Sequence, residues 1–175
     1  LGQALCASLR ASMLDRELPL WLNTSLDELL IEDGRVVGAV INKNGEKQRV
    51  LARKGVVMAT GGFARNVEMR QKYQKAPIGD QWTNVNPHDM GEGILAGEKV
   101  GAQLDFMHCA WWTPTVMLPG SKAEALIVGK SLPGCIFVNK NGERFTNEAA
   151  PYEDVVKAQY AADDKAPSIP CYMIF

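Results

Sequence analysis

Arg144, Asn147, Glu148 and Tyr152 fall within one short stretch that follows the turn signal Asn141-Gly142 and precedes a helical pattern. Side chains at such a junction can be held rigidly over a cleft. A phenol there can donate or accept a proton, or hydrogen-bond a carbonyl, and a nearby carboxylate or guanidinium can tune it. The same residues also suit a plainer arrangement, with Arg144 and Glu148 pairing at the surface and Tyr152 anchoring a helix.

Two glycine-bearing segments suit ligand binding rather than proton transfer. Ala59, Thr60, Gly61 and Gly62 end a bulky run that starts at Val56, which predicts a buried strand closing on a small-residue turn. Glycine leaves no Cβ in the way of an approaching ligand, although an ordinary strand-to-helix corner needs the same residues. Gly91, Glu92, Gly93 and Ala96 satisfy G-x-G-x-x-A. That pattern binds pyrophosphate only directly after a strand, and the polar stretch from Asn84 to Met90, with Pro87 inside it, is no buried strand. What survives is a helix start with a carboxylate in its first turn and glycines suited to close packing.

Trp111, Trp112, Thr113 and Pro114 form a bulky cluster that can line an apolar pocket or fill a core. His88 and His108 have no neighbours at ligand spacing. Cys6, Cys109, Cys135 and Cys171 lie far apart with no C-x-x-C pair, so no metal site is expected. They read as thiols of a reducing, cytoplasmic setting. A net charge of -1 with scattered Lys and Arg gives no basic stripe for nucleic acid, and no apolar run reaches the roughly 20 residues of a membrane span.

The elements that must position these residues follow from periodicity and punctuation. Leu1, Leu5, Leu9 and Met13 recur as on one helix face. Leu18–Asn23 and Leu26–Ile31 read as extended and lead to the turn Asp33-Gly34. Arg35–Asn42 and Lys47–Ala52 flank Asn44-Gly45, which predicts a β-hairpin. Asn66 is placed to cap a helix through Tyr73, with Pro77 and Gly79 closing it, and Met90–Val100 reads as a helix stopped by Gly101. Leu104–Phe106 and Thr113–Leu118 are predicted strands. Cys135–Val138 with Asn141-Gly142 predicts a second hairpin. A last helix, Tyr152–Ala162, shows Tyr152, Val155, Val156 and Gln159 on one face, and the apolar run from Pro170 to Phe175 reads as a strand. The fold class is α/β, as an α+β piece, and both termini read as cuts through a longer chain.

Taken in order, these segments resemble the FAD-dependent oxidoreductases that include fumarate reductases, succinate dehydrogenase flavoproteins and 3-ketosteroid dehydrogenases. Thr24–Gly38 is similar to T-x-V-x-x-L-x-x-x-x-G-x-V-x-G, with Leu26 in place of valine. Lys54–Asn66 matches K-x-V-V-x-A-T-G-G-F-x-x-N, and Gly134–Glu148 matches G-x-I-x-V-N-x-x-G-x-R-F-x-N-E. The helix start resembles G-D-G-x-x-x-A, with Glu92 in place of Asp and the alanine one place early.

The resemblance implies an FAD-binding domain with a β-hairpin insertion over residues 1 to about 104, and the first part of a substrate-capping domain over 105–175. It implies that Ala59, Thr60, Gly61, Gly62, Gly91, Glu92 and Gly93 lie against FAD. Glu148 would belong to a proton path, and Trp112 and Arg144 would face the substrate. Trp112, Thr113 and Pro114 stand where fumarate reductases carry His-Pro-Thr, and with Pro151-Tyr152 they look closer to the ketosteroid branch. In that branch a tyrosine, here Tyr152, assists proton removal while flavin N5 takes hydride. The expected substrate is a small apolar carbonyl compound such as a steroid. A fumarate or enoate reductase piece, or a non-catalytic binding module, are the alternatives. The piece by itself is expected to hold FAD weakly or not at all, and to have surfaces through which copies could associate as a homo-oligomer.

Overall fold

Three strands, Thr24–Glu32 (β1), Arg35–Lys43 (β2) and Glu46–Leu51 (β3), form an antiparallel meander in the order β1-β2-β3 in the computed structural model, which describes residues 2–175. The turn residues explain its register. Asp33 and Gly34 have φ of 48° and 73°, and Asn44 and Gly45 have 54° and 92°, the left-handed pairs that match strand twist in a tight hairpin. Leu30, Ala39 and Val40 are its buried side chains. Opposite Gly38, the Val50 carbonyl comes so close that a Cβ would collide with it.

The helix Gly2–Leu14 (α1) precedes the meander and buries no residue. Leu5, Leu9 and Leu14 are 62%, 58% and 59% exposed, so its apolar face meets solvent in this chain. Leu1, which the sequence places on that face, lies outside the described residues. Leu18–Asn23, read as extended, is not strand; β1 begins at Thr24.

The predicted strand at 56–59 is not formed. Among the described residues nothing hydrogen-bonds to the backbone of residues 53–62, and Val57 is 91% exposed. An apolar run becomes a strand only beside another strand, and no neighbour for it occurs among the described residues.

Val67–Tyr73 (α2) and Glu92–Lys99 (α3) follow, close to their predicted places. Asn66 caps α2 by accepting the Met69 amide at 3.0 Å, and Gly101, at φ 87°, ends α3. Leu104–Phe106 is not a strand either: Phe106 takes a left-handed φ of 52°, its amide bound to Asp105 Oδ1 at 2.7 Å. Thr115–Val116 (β4) pairs with Glu124–Ala125 (β5).

The second hairpin is corrected in its pairing. Ile136–Val138 (β6) forms a single β-bridge, Val138–Arg144, with the chain after Asn141-Gly142, and its ladder partner is Tyr172–Ile174 (β7). Between them Tyr152–Asp163 (α4) buries Val155 and Val156 on its predicted face. Cys135, Phe137 and Val155 form the core here, with Leu126, Phe145, Ala150, Cys171 and Met173 packed around them.

The described chain comprises two compact units. One holds residues up to Ala59 with Leu95–Ala102; the other holds Thr60–Ile94 with Gln103–Phe175.

Candidate functional site

The two glycine segments, far apart in sequence, are brought together. Arg65 donates its amide hydrogen to the Asp89 carbonyl at 2.9 Å, and Asn66 Nδ2 donates to the Met90 carbonyl at 2.9 Å. The cap of α2 is thus also the tie to the start of α3. Gly91, at φ 82°, is fixed by packing: a Cβ there would stand 2.8 Å from Met69 Sδ and 2.9 Å from Phe63 Cβ. Gly93 is buried, whereas Glu92 opens α3 exposed, its carboxylate at the positive end of the helix.

Gly61 and Gly62 differ from Gly91 in kind. Gly61 has φ 81° and lies beside the Asp89 carboxylate, but a Cβ on Gly62 would meet nothing within 4 Å. Ala59, Thr60, Gly61 and Gly62 are all exposed. Packing among the described residues does not account for Gly62.

Two arginines that the sequence reading passed over hold the loop after α2. Arg65 donates to the carbonyls of Asp80 at 3.3 Å and Val85 at 3.1 Å, with its Nε buried and unpartnered. Arg70 is buried and donates to the carbonyls of Gly79 and Ala64 and to Gln74 Oε1. Burial pushes its pKa down, against the pull of Tyr160 and Asp80.

Arg144 and Glu148 are also brought together, Arg144 Nη2 standing 2.6 Å from Glu148 Oε2. Glu148 is only 3% exposed, and its Oε1 accepts the Phe137 amide at 2.7 Å. Burial alone would push this carboxyl up; the bonds from Arg144 and Phe137 outweigh it and hold the group below the usual glutamate range. Glu148 is therefore an anion with its oxygens in use, and the arginine is half-exposed.

Lys130, which the sequence presents as part of a polar loop, is 2% exposed. Its Nζ donates to the carbonyls of Glu148 at 2.7 Å and Ala150 at 2.6 Å, and to Ser131 Oγ at 3.3 Å. Asn147 shapes the same stretch, accepting the Ala149 amide at its side chain and the Ala150 amide at its carbonyl. Tyr152 comes directly after, half-buried, as the first residue of α4.

Trp112 is half-buried against Tyr160, ring centroids 5.4 Å apart, and Tyr160 donates its hydroxyl hydrogen to the Pro77 carbonyl at 2.9 Å. Trp111 is 82% exposed. Burial raises the pKa of Cys135, and that of Cys171 to about 11, which keeps both as unreactive thiols. Among the described residues no cluster of His, Cys, Asp and Glu could hold a metal.

Comparison with known proteins identifies the family of the chain. The model of the FAD binding domain family matches residues 1–175, and the chain belongs to that family. A 3-oxosteroid 1-dehydrogenase of Mycolicibacterium smegmatis is 40% identical over 185 residues, a match taking in 100% of this chain and 32% of that protein. The 3-ketosteroid delta1-dehydrogenase of Sterolibacterium denitrificans, solved with 1,4-androstadiene-3,17-dione, is similar at TM-score 0.90 and 41% identity over 94% of this chain and 30% of its own. A flavocytochrome c3 fumarate reductase in an open conformation is similar at TM-score 0.70 and 31% identity over 97% of this chain and 29% of its own. The chain spans about a third of the length of the curated relatives it matches.

The family's cofactor fits what the chain presents. Gly62 leaves space where a side chain would otherwise stand, and the backbone around it has hydrogen-bonding groups unspent among the described residues, which a flat polar ring could use. A carboxylate at the start of α3 suits a hydroxyl-bearing group and repels a phosphate, so residues 60 to 62 and 91 to 93 would suit a part of FAD other than its pyrophosphate.

Proposed function

We propose that the chain is part of an FAD-dependent dehydrogenase of the 3-ketosteroid kind, which introduces a double bond next to a ring carbonyl. The observation that carries this is the 41% identity and 0.90 TM-score to a 3-ketosteroid delta1-dehydrogenase over 94% of the chain. In this reading residues 1 to about 104 belong to the FAD-binding domain, and residues 105–175 begin the cap over the substrate. The setting is cytoplasmic; no described helix is long and apolar enough to cross a membrane.

A C–H bond beside a carbonyl is acidic enough for a positioned oxygen base to act on it. Tyr152 is the residue we assign to the proton, through its Oη. Its place at the head of α4, behind a segment fixed on three sides, supports the assignment, because proton transfer depends on geometry held to a fraction of an ångström. FAD, when bound, supplies the acceptor for the hydride lost from the neighbouring carbon. Ala59, Thr60, Gly61, Gly62, Gly91, Glu92 and Gly93 would lie along the cofactor, and Trp112 and Arg144 toward the substrate. Glu148, committed to Arg144 and Phe137, suits holding this scaffold better than releasing a proton.

Fumarate or enoate reduction is the second reading, favoured by the likeness to the flavocytochrome. Against it, Trp112, Thr113 and Pro114 occupy the place where a proton-handling histidine is expected. Assay of the full-length protein separates the two. Dye reduction with a 3-ketosteroid and none of fumarate's turnover is the expected result; fumarate turnover without steroid oxidation would overturn the proposal.

A further inference from the structure

We infer that Lys130 is a positioning residue for Tyr152. The inference rests on the reading of Tyr152 as the proton-handling group, and it names a residue that never touches the substrate. The starting point is an oddity of charge. An ammonium group is rarely buried without a carboxylate, since desolvation costs several kcal/mol and an apolar side chain of similar size fills the space more cheaply. Lys130 is 2% exposed, and no carboxylate of a described residue pairs with it. Its partners are the backbone carbonyls of Glu148 and Ala150, with Ser131 Oγ as a third.

Those two carbonyls flank Ala149, in the turn that feeds Pro151 and Tyr152. A charged donor bridging both fixes their directions and so the path by which the chain enters α4. The other restraints act elsewhere on the same segment: Glu148 is tied by its side chain to Phe137 on β6 and to Arg144, and Asn147 closes the turn on itself. No side chain caps the first turn of α4 at Pro151, so the entry to this helix is set by the segment before it. Lys130 thus places the first residue of α4 from the short 3-10 helix Gly129–Ser131, upstream of β6. The carboxylate of Glu148 is taken up by Arg144 and the Phe137 amide, so the ammonium's partners on this segment are the carbonyls.

The test is a double-mutant cycle in the full-length flavoenzyme, with 3-ketosteroid as substrate and flavin content checked by absorbance. Lys130→Met is expected to lower kcat roughly ten- to a hundredfold, since a misplacement of about 1 Å at a reacting group can cost about a hundredfold, with KM changed less than about twofold. Lys130→Arg, which keeps a donor, is expected to recover most of that loss. In a Tyr152→Phe background Lys130→Met should cost nothing more, because the two act through one group. An equal loss in both backgrounds, or full kcat in Lys130→Met, overturns the inference. Should Lys130→Met not fold, Ser131→Ala loosens the same clamp: a loss confined to the Tyr152 background supports it, and no loss or an equal loss in both overturns it. If Tyr152→Phe itself keeps full kcat, the reading of Tyr152 has failed, and that outcome is distinct from an additive cycle.

Discussion

Glu148 accepts the amide hydrogen of Phe137 at 2.7 Å, so a side chain in the turn before α4 completes the hydrogen bonding of the β6 backbone. Breaking that bond leaves a buried N–H unpaired, at a cost of about 2 kcal/mol. Glu148→Ala should therefore lower the melting temperature of the full-length protein by several degrees. The acid response follows from the depressed carboxyl. Its folded pKa lies below its unfolded one, so the stability it contributes is present above the ordinary value of about 4.3 and lost as pH falls through the folded pKa. Thermal melts from pH 6 to pH 3 should show the wild type falling more steeply than Glu148→Gln; parallel curves would remove Glu148 from the account.

Tyr152→Phe removes one oxygen from a half-buried ring and leaves the helix start otherwise unchanged. A general acid–base group contributes roughly 10²- to 10⁴-fold, so steroid oxidation should drop at least about a hundredfold in kcat with KM nearly constant. A KM effect alone would make Tyr152 a binding residue.

Gly91 and Gly62 make opposite predictions from the same substitution. Gly91→Ala forces a Cβ against Met69 and Phe63 at a left-handed φ of 82°, and should cost about 1–3 kcal/mol. Gly62→Ala meets open space within the chain and should leave the melting temperature of the apoprotein unchanged while weakening FAD binding. Melts and a flavin titration on the two variants check this; equal flavin affinity in wild type and Gly62→Ala would move the cofactor away from this turn.

Asn66 works at two points, taking the Met69 amide and giving to the Met90 carbonyl. Loss of an N-cap costs about 1 kcal/mol. Asn66→Asp keeps the cap but not the donor, so it should fall between wild type and Asn66→Ala in urea midpoint. An Asp variant equal to the Ala variant would mean that the tie to Met90 dominates.

Residues 1–175 purified alone should carry no stoichiometric flavin, since the fitted residues suit only part of FAD. Absorbance near the flavin band against protein concentration decides this.

Local chemistry made much of the fold legible. Asn44-Gly45, Asp33-Gly34, the cap at Asn66 and the stop at Gly101 each act within a few residues, and the elements they bound lie near their expected places. What failed was pairing at a distance. Val56–Ala59 has strand composition but, among the described residues, no strand beside it, and β6 passes over its near neighbour for β7, more than 30 residues on. The glycine segments were legible as types, but only long-range ties, from Arg65 to Asp89 and from Asn66 to Met90, put them side by side. Lys130 was not legible: a lysine between Gly129 and Ser131 reads as solvated, and its burial depends on carbonyls that the sequence does not mark.

The meander has a consequence for the order in which the molecule forms. Its strands join through tight turns, so each contact closes a loop of a few residues, and such hairpins assemble in microseconds. It can be complete while later residues are still being synthesised. The β6–β7 ladder must wait for its second strand, so the sheet that Glu148 ties to the turn before α4 closes later than the meander. A ribosome stalled between α4 and β7 would display a finished meander and a β6 still without its ladder partner.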